Sequence, residues 1–352
     1  MRNSRCCVLV STYAFAVGLA WTLPSLSAPA EVAKPAVDLS IYGHVVQVGW
    51  VVKDLDRVVD YWEKLGLKNV GPAGVREFAD FTYRGKKTPL SLKMAFANIG
   101  GVEIEWIQPV KGTSVYDEFL RQHGDGVHHL AFAVPSPEQL DAQLQHFKAK
   151  GVQTVQYGSW EGAKGKGRFA YLDTAARGGG LTIELVYNPD APPAGSLAKS
   201  ENEYPFNKIV QYALVVRDVK KVAAFYEHLG FGGMPVDHNI SVDRNYHGQP
   251  GKFEMYLGWW RWGDVPFEWI QPLVGPSVYH DHLKTRGEGF HHLAFDVTDM
   301  DQAIELLKSK GAPLSQSGGW DTPSSKGRFA YHDAEPYGGI SIELLWNQPE
   351  GQ

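Results

Sequence analysis

One glutamine, one histidine and two glutamates recur at matching places in the two halves of this chain. Glu105 stands in the phrase E-W-I-Q-P, and Glu268 stands in the same phrase 163 positions later. His129 and His292 share H-H-L-A-F at the same offset. Glu184 sits in T-I-E-L-V and Glu343 in S-I-E-L-L, while Gln47 and Gln211 open apolar runs. Burying a charged or ligating side chain on a strand is costly unless it finds a partner. Singly, each residue has an ordinary reading: a strand glutamate can face solvent, and a histidine can sit satisfied in a core. A duplication also copies structural residues. Recurring together in strand-like contexts, these types form a donor set for a divalent metal, with imidazole and carboxylate suiting Zn, Ni, Mn, Co or Fe. Four protein donors would leave positions for substrate oxygens. The only cysteines, Cys6 and Cys7, lie near the amino terminus, so no thiolate set points to a closed structural zinc site.

The elements that must carry these residues are legible as a repeat. Gln47 to Val52 and Gln211 to Val216 read as strands. Asp54 and Asp218 then cap helices, with stripes at Leu55, Val58, Val59, Trp62, Leu65 and at Val219, Val222, Ala223, Tyr226, Leu229. Gly66 and Gly230 end them. The later quarters run from a strand at His128 to a helix over 137–150, and from a strand at His291 to a helix over 300–310. Each finishes in two strands, G-R-F-A-Y and the run holding Glu184 or Glu343. A unit of strand, helix and two or three strands thus recurs four times. Strict alternation along a strand places His128 and His129 on opposite faces, leaving His128 and His291 as packing or supporting groups. Arg168 and Arg328 are candidates to hold an anionic substrate group. Trp160 and Trp320 are candidates to wall a pocket, and Trp259, Trp260 and Trp262 to line a cleft or a core. Gly178-Gly179-Gly180 lacks the strand–glycine–helix setting of a phosphate loop.

At 352 residues, 43% of them hydrophobic, the chain can build two cores. Its net charge of −5 is mild, and no basic block points to a nucleic-acid partner. Arg2, Arg5, the apolar run from Val8 to Leu23 and Ala28-Pro29-Ala30 have the layout of a secretory signal peptide. The expected organisation is a signal peptide over 1–30, one domain over 40–190, a Pro- and Ser-rich linker over 191–204 and a second domain over 205–350. That layout implies a secreted or periplasmic protein with no membrane span once processed.

The phrases Q-V-G-W-V-V-K-D-L-D-R-V-V-D-Y-W-E-K-L-G-L, G-V-H-H-L-A-F-A-V and G-G-L-T-I-E-L-V-Y-N-P resemble the vicinal oxygen chelate superfamily, which spans glyoxalase I, bleomycin-resistance proteins and extradiol dioxygenases. The resemblance covers nearly the whole chain after the leader. It implies an α+β fold of four βαβββ modules paired into two cupped eight-stranded sheets. It places metal ligands at Gln47, Glu105, His129 and Glu184, and at Gln211, Glu268, His292 and Glu343. The set is similar to that of glyoxalase I and implies a lyase, isomerase or epimerase acting on a small α-hydroxycarbonyl substrate. The proton would move at the carbon next to the carbonyl through a metal-held enediolate. Glu184 and Glu343 are the expected bases, with Glu105 and Glu268 as ligands and partner bases. Two other readings stand beside it: an Fe(II) ring-cleaving dioxygenase, and a protein that sequesters a small molecule without catalysis. Whether neighbouring or exchanged modules build each site stays open, as does monomer against homodimer.

Overall fold

In the computed structural model, residues 37–191, 201–263, 265–323 and 325–348 are described. The expected signal peptide and most of the expected linker lie outside them. The first half runs β1 (Val45–Val51), α1 (Leu55–Leu65), β2 (Gly74–Phe78), β3 (Phe81–Tyr83), β4 (Lys86–Lys87), β5 (Leu90–Ile99), β6 (Val102–Lys111), α2 (Val115–His123), β7 (Gly126–Ala133), α3 (Pro137–Ala149), β8 (Thr154–Glu161), β9 (Lys166–Leu172) and β10 (Thr182–Tyr187). The second half repeats this order as β11 (Gln211–Val215), α4 (Val219–Leu229), β12 (Val236–Asn239), β13 (Val242–Tyr246), β14 (Gln249–Pro250), β15 (Glu254–Trp260), β16 (Phe267–Val274), α5 (Val278–Thr285), β17 (Gly289–Asp296), α6 (Met300–Ser309), β18 (Leu314–Asp321), β19 (Lys326–Asp333) and β20 (Ser341–Asn347).

Local chemistry sets the helix ends. Asp54 accepts a hydrogen bond from the Arg57 amide, and Gly66 stops α1 at a φ of 134°, a conformation that glycine adopts cheaply. Leu55, Val58, Tyr61, Trp62 and Leu65 make the buried face. The sequence reading passed over α2 and α5. Both start at a capping serine, Ser114 or Ser277.

Each half forms one sheet. The first is ordered β2-β5-β6-β1-β7-β10-β9-β8-β3-β4, and the second has the equivalent order. That makes ten strands where eight were expected. The additional pair is the β3–β4 hairpin, which the first module lays on β8 of the second. β2 and β3 lie near opposite edges of the sheet, yet only residues 79–80 separate them. The sheet must therefore curl until its edges meet. Neighbouring modules pair through β1 and β7, so each site is built within one half and not by exchange.

Two kinds of core result. Inside the first cup lie Val51, Leu92, Met94, Ile107, Tyr116, Phe169 and Tyr171, and the second cup has its own equivalent cluster. A third cluster joins the two halves and includes Trp50, Trp62, Tyr226, Trp260 and Trp269. Burying each such side chain contributes about 1.5–3 kcal/mol or more. The glycine triplet acts here, since the Gly178 carbonyl accepts from the Tyr226 hydroxyl and the Trp269 indole, each at 3.2 Å. A Cβ on Gly180 would come 2.3 Å from Gly289 Cα, so the halves touch backbone to backbone. Among the described residues no helix is long and apolar enough to cross a membrane.

Candidate metal centres

Four consecutive strands of each sheet each contribute one candidate donor: β6, β1, β7 and β10 in the first half, β16, β11, β17 and β20 in the second. In the second half all four side chains meet. Gln211 Nε2 donates to Glu268 Oε2 at 2.8 Å and lies 3.4 Å from His292 Nε2 and 3.5 Å from Glu343 Oε2. His292 Nε2 lies 3.0 Å from Glu343 and 3.9 Å from Glu268. In the first half three meet: His129 Nε2 lies 3.0 Å from Glu184 Oε2 and 3.7 Å from Glu105 Oε2. Gln47 turns instead to Glu103, donating from Nε2 at 2.6 Å. Glu103, on the same face of β6 as Glu105, is a partner of Gln47 that was not among the residues singled out from the sequence.

The histidine pair departs from strand alternation. Gly49 pairs with His129 and Trp50 with Val127, so His128 is the extra residue of a β-bulge; His291 is skipped in the same way. A bulge sets two residues against one and turns both side chains to one side. The Nδ1 atoms of His128 and His129 are consequently 3.0 Å apart, and those of His291 and His292 are 2.8 Å apart. The expectation of opposite faces fails for this reason. Behind the histidines, the Tyr116 and Tyr171 hydroxyls are 2.8 Å apart, and Tyr171 reaches His129 Nε2 at 3.4 Å. Tyr279 donates to Tyr331 in the same way at 2.9 Å. These tyrosines were missed, although V-Y and F-A-Y occur in both halves.

Trp160 and Trp320 pack in the interior clusters, against Phe169 and its counterpart. Arg168 and Arg328 do not reach the sites. Tyr171 faces the cup, so Arg168, three positions earlier on the strand, faces the outer helix and pairs with Asp141 at 2.6 Å. Arg328 pairs with Asp301 at 2.8 Å. Both arginines are paired to helix carboxylates and so brace α3 and α6. Different arginines stand by the carboxylates: Arg76 over the Phe96 ring and Arg261 over the Trp259 ring, each at 4.9 Å.

Burial dominates the electrostatics. It pushes Glu343 up to about 8. Burial, then the charge of Glu343, pushes Glu268 well above the usual carboxylate range. Burial and the Glu184 charge raise Glu105, and burial and the Glu105 charge raise Glu103. Burial opposes a charge on His129, but Glu184 and Glu105 outweigh it and hold the imidazole up to about 9. Burial alone takes His292 down to about 3. The carboxylate charges thus favour the protonated imidazole in the first half, and burial favours the protonated carboxylates in the second.

These residues fit a divalent cation in chemistry. Glu184 Oε2 is buried, and its one close neighbour is the His129 imidazole at 3.0 Å. Two donors about 2.1 Å from one ion, at right angles, stand about 3 Å apart, which is close to the contacts found. The donors nevertheless face one another. Among the described residues no three His, Cys, Asp or Glu side chains converge on a ready-made ion position.

The sequence model of the Glyoxalase/Bleomycin resistance protein/Dioxygenase superfamily matches residues 46–171 and 210–331. The chain belongs to this superfamily. A curated relative, the uncharacterized protein YqjC of Bacillus subtilis, is 32% identical over 145 residues, which is 41% of this chain and 94% of its own. Among solved structures, a variant of 4-hydroxymandelate synthase from Streptomyces coelicolor is similar with a TM-score of 0.58 at 15% identity, covering 87% of this chain and 93% of that one. A xylose isomerase-like TIM barrel/4-hydroxyphenylpyruvate dioxygenase fusion protein is similar at 0.52 and 15% identity, over 91% of this chain and 50% of its own. At such identities the likeness is one of fold, here that of paired halves in one chain.

Proposed function

We propose that the protein is a metal-dependent enzyme of this superfamily that moves a proton at a carbon next to a carbonyl, a lyase, isomerase or epimerase. The observation that carries the reading is the convergence of Gln211, Glu268, His292 and Glu343 in one buried cluster. Divalent metals serve members of the superfamily, and here Gln211, Glu268, His292 and Glu343 would hold one. When bound, the ion would supply Lewis-acid polarisation of adjacent substrate oxygens.

The remaining work belongs to the chain. Glu343 is the base: its carboxylate lies in the buried cluster 3.0 Å from the His292 imidazole, placed to take a proton and return it. Glu268 is the second acid–base group of the same cluster. The interior of Phe253, Met255, Ile270 and Phe329 excludes water around them, which strengthens every charge interaction. The apolar lining and two acid–base carboxylates fit a small α-hydroxycarbonyl substrate. We extend the proposal to export, on the strength of the arginine-led apolar segment at the amino terminus.

Purified protein is expected to contain a divalent ion and to exchange the α-proton of an α-hydroxyketone for deuterium, followed by NMR. Absence of both would overturn the reading. The synthase and the dioxygenase fusion among the structural neighbours favour one alternative, an Fe(II)-dependent oxygenase. Substrate-dependent oxygen uptake without deuterium exchange would establish it instead.

A further inference from the structure

We propose that Arg261, stacked on Trp259 just past the end of β15, holds an anionic end of the substrate, a carboxylate or a phosphate carried by the α-hydroxycarbonyl compound. The inference rests on the reading above that the second half turns over such a compound, and it adds the compound's charge class. The sequence expectation gave this task to Arg168 and Arg328, which are paired elsewhere.

The strand register places the pair. β15 and β16 run antiparallel with Trp259 opposite Glu268, and opposite residues present their side chains on one face. Trp259 packs against the interior cluster of the second cup. The Arg261 guanidinium lies over its ring, 4.9 Å from the centroid. Stacking occupies the flat face of a guanidinium and leaves its N–H edge open to an anion. Among the described residues neither Arg261 nor Arg76 has an ion-pair or side-chain hydrogen-bond partner, whereas Arg84, Arg286 and Arg328 each hold a carboxylate. Burial raises the Glu268 carboxyl, and the Arg261 charge acts against that rise. Trp259, Trp262 and Arg261 also wall a cavity of about 480 Å³, large enough for a small ligand. The one acid in that wall, Asp237, makes no ion pair with Arg261.

The first half supplies a second case. Phe96 lies opposite Glu105, and Arg76 stacks on its ring at the same 4.9 Å. Duplication did not copy this arrangement. Arg76 comes from β2, opposite Leu92; the equivalent place on β12, opposite Met255, is Asn239. The counterpart of Arg261 in the first half is Asn98. Two unrelated positions thus deliver an unpaired guanidinium to the same spot, over the ring that faces the carboxylate of β6 or β16. A packing residue inherited through duplication would occupy one position in both halves.

Deuterium exchange followed by NMR on three α-hydroxyketones tests this: 5-hydroxy-4-oxopentanoate, dihydroxyacetone phosphate and neutral hydroxyacetone. At least one anionic probe should show a kcat/KM at least about tenfold above that of hydroxyacetone, mostly through KM, and Arg261→Gln should erase the preference. Arg261→Lys should restore part of it. Arg328→Gln, which removes only a helix brace, should leave it intact. Calorimetry in an Arg76→Gln background gives a readout free of turnover. There Arg261→Gln should weaken the better bound of 4-oxopentanoate and inorganic phosphate by at least about tenfold. The inference alone is overturned if hydroxyacetone exchanges as well as both anions, or if preference and anion affinity survive Arg261→Gln. If no probe exchanges, the proposed function fails, while anion affinity that depends on Arg261 still upholds this site.

Discussion

His129 and Glu184 in the first half keep the same contact as His292 and Glu343 in the second, 3.0 Å in both. The second carboxylate lies at 3.7 Å in one and 3.9 Å in the other. The surroundings of that contact differ at several positions, three of which bear on charge, space or proton affinity. Glu103 faces Pro266 across the repeat, Gly49 faces Ala213, and Phe119 faces His282. Each change alters charge, space or proton affinity without touching the central imidazole and carboxylates. The contact has been held constant while its neighbours have diverged, so the halves form equal architectures around unequal sites.

The largest expected difference is catalytic. Glu343→Gln keeps shape and hydrogen bonding but cannot take a proton. It should cut α-proton exchange by about 10²–10⁴-fold. Glu184→Gln should leave most of the rate, because the cluster that gathers all four donors lies in the second half. Equal losses from the two variants, measured by NMR exchange, would erase the distinction. Next comes space. A Cβ on Gly49 would fall 1.8 Å from His129 Cε1, whereas Ala213 already carries one beside His292. Gly49→Ala should cost up to about 3 kcal/mol and displace His129. Ala213→Gly should cost no more than about 1 kcal/mol. Urea unfolding of both variants measures the contrast, and similar small losses would break it.

Much of the fold was open to reading because both halves repeat it. The stripe of α1 and the strands bearing Glu105, His129 and Glu184 followed from period and capping. Three features did not follow, for physical reasons. Alternation presumes a regular strand, and the bulge at His128 breaks it. Glu103 sits on the right face, but comparing repeats favours what both copies share, and Pro266 hid it. Arg168 recurs in both halves, so repetition alone promoted it. Alternation from Tyr171 would have sent it outward. The pairing of neighbouring modules through β1 and β7 is a long-range choice that no local pattern in either strand specifies.

The glutamines should give a smaller contrast. Gln211 is buried and donates to Glu268 at 2.8 Å. Gln211→Ala leaves that carboxylate oxygen without its donor and should cost about 2 kcal/mol. Gln47 and Glu103 are only partly buried, so water can replace the lost bond and Gln47→Ala should cost under about 1 kcal/mol. Thermal unfolding midpoints of the metal-free variants give the order, and a larger loss at Gln47 would reverse the comparison.

The smallest effect concerns protons. Burial, then the charges of His291 and Arg286, holds His282 well below the ordinary histidine range, and its Nδ1 is buried without a partner. Phe119 fills the same place in the first half. Below about pH 6.5 the unfolded chain takes up a proton that folded His282 refuses, so stability falls as pH falls. His282→Phe removes that uptake and the unpartnered nitrogen. It should raise stability at pH 7 by about 1 kcal/mol and make the loss between pH 6.5 and 5 shallower. The loss should not vanish, since burial also depresses His128 and His291. Phe119→His should do the opposite in the first half, steepening the acid limb. Unfolding midpoints across that pH range that match wild type for both variants would show that the two halves do not differ in how they hold a proton at this position.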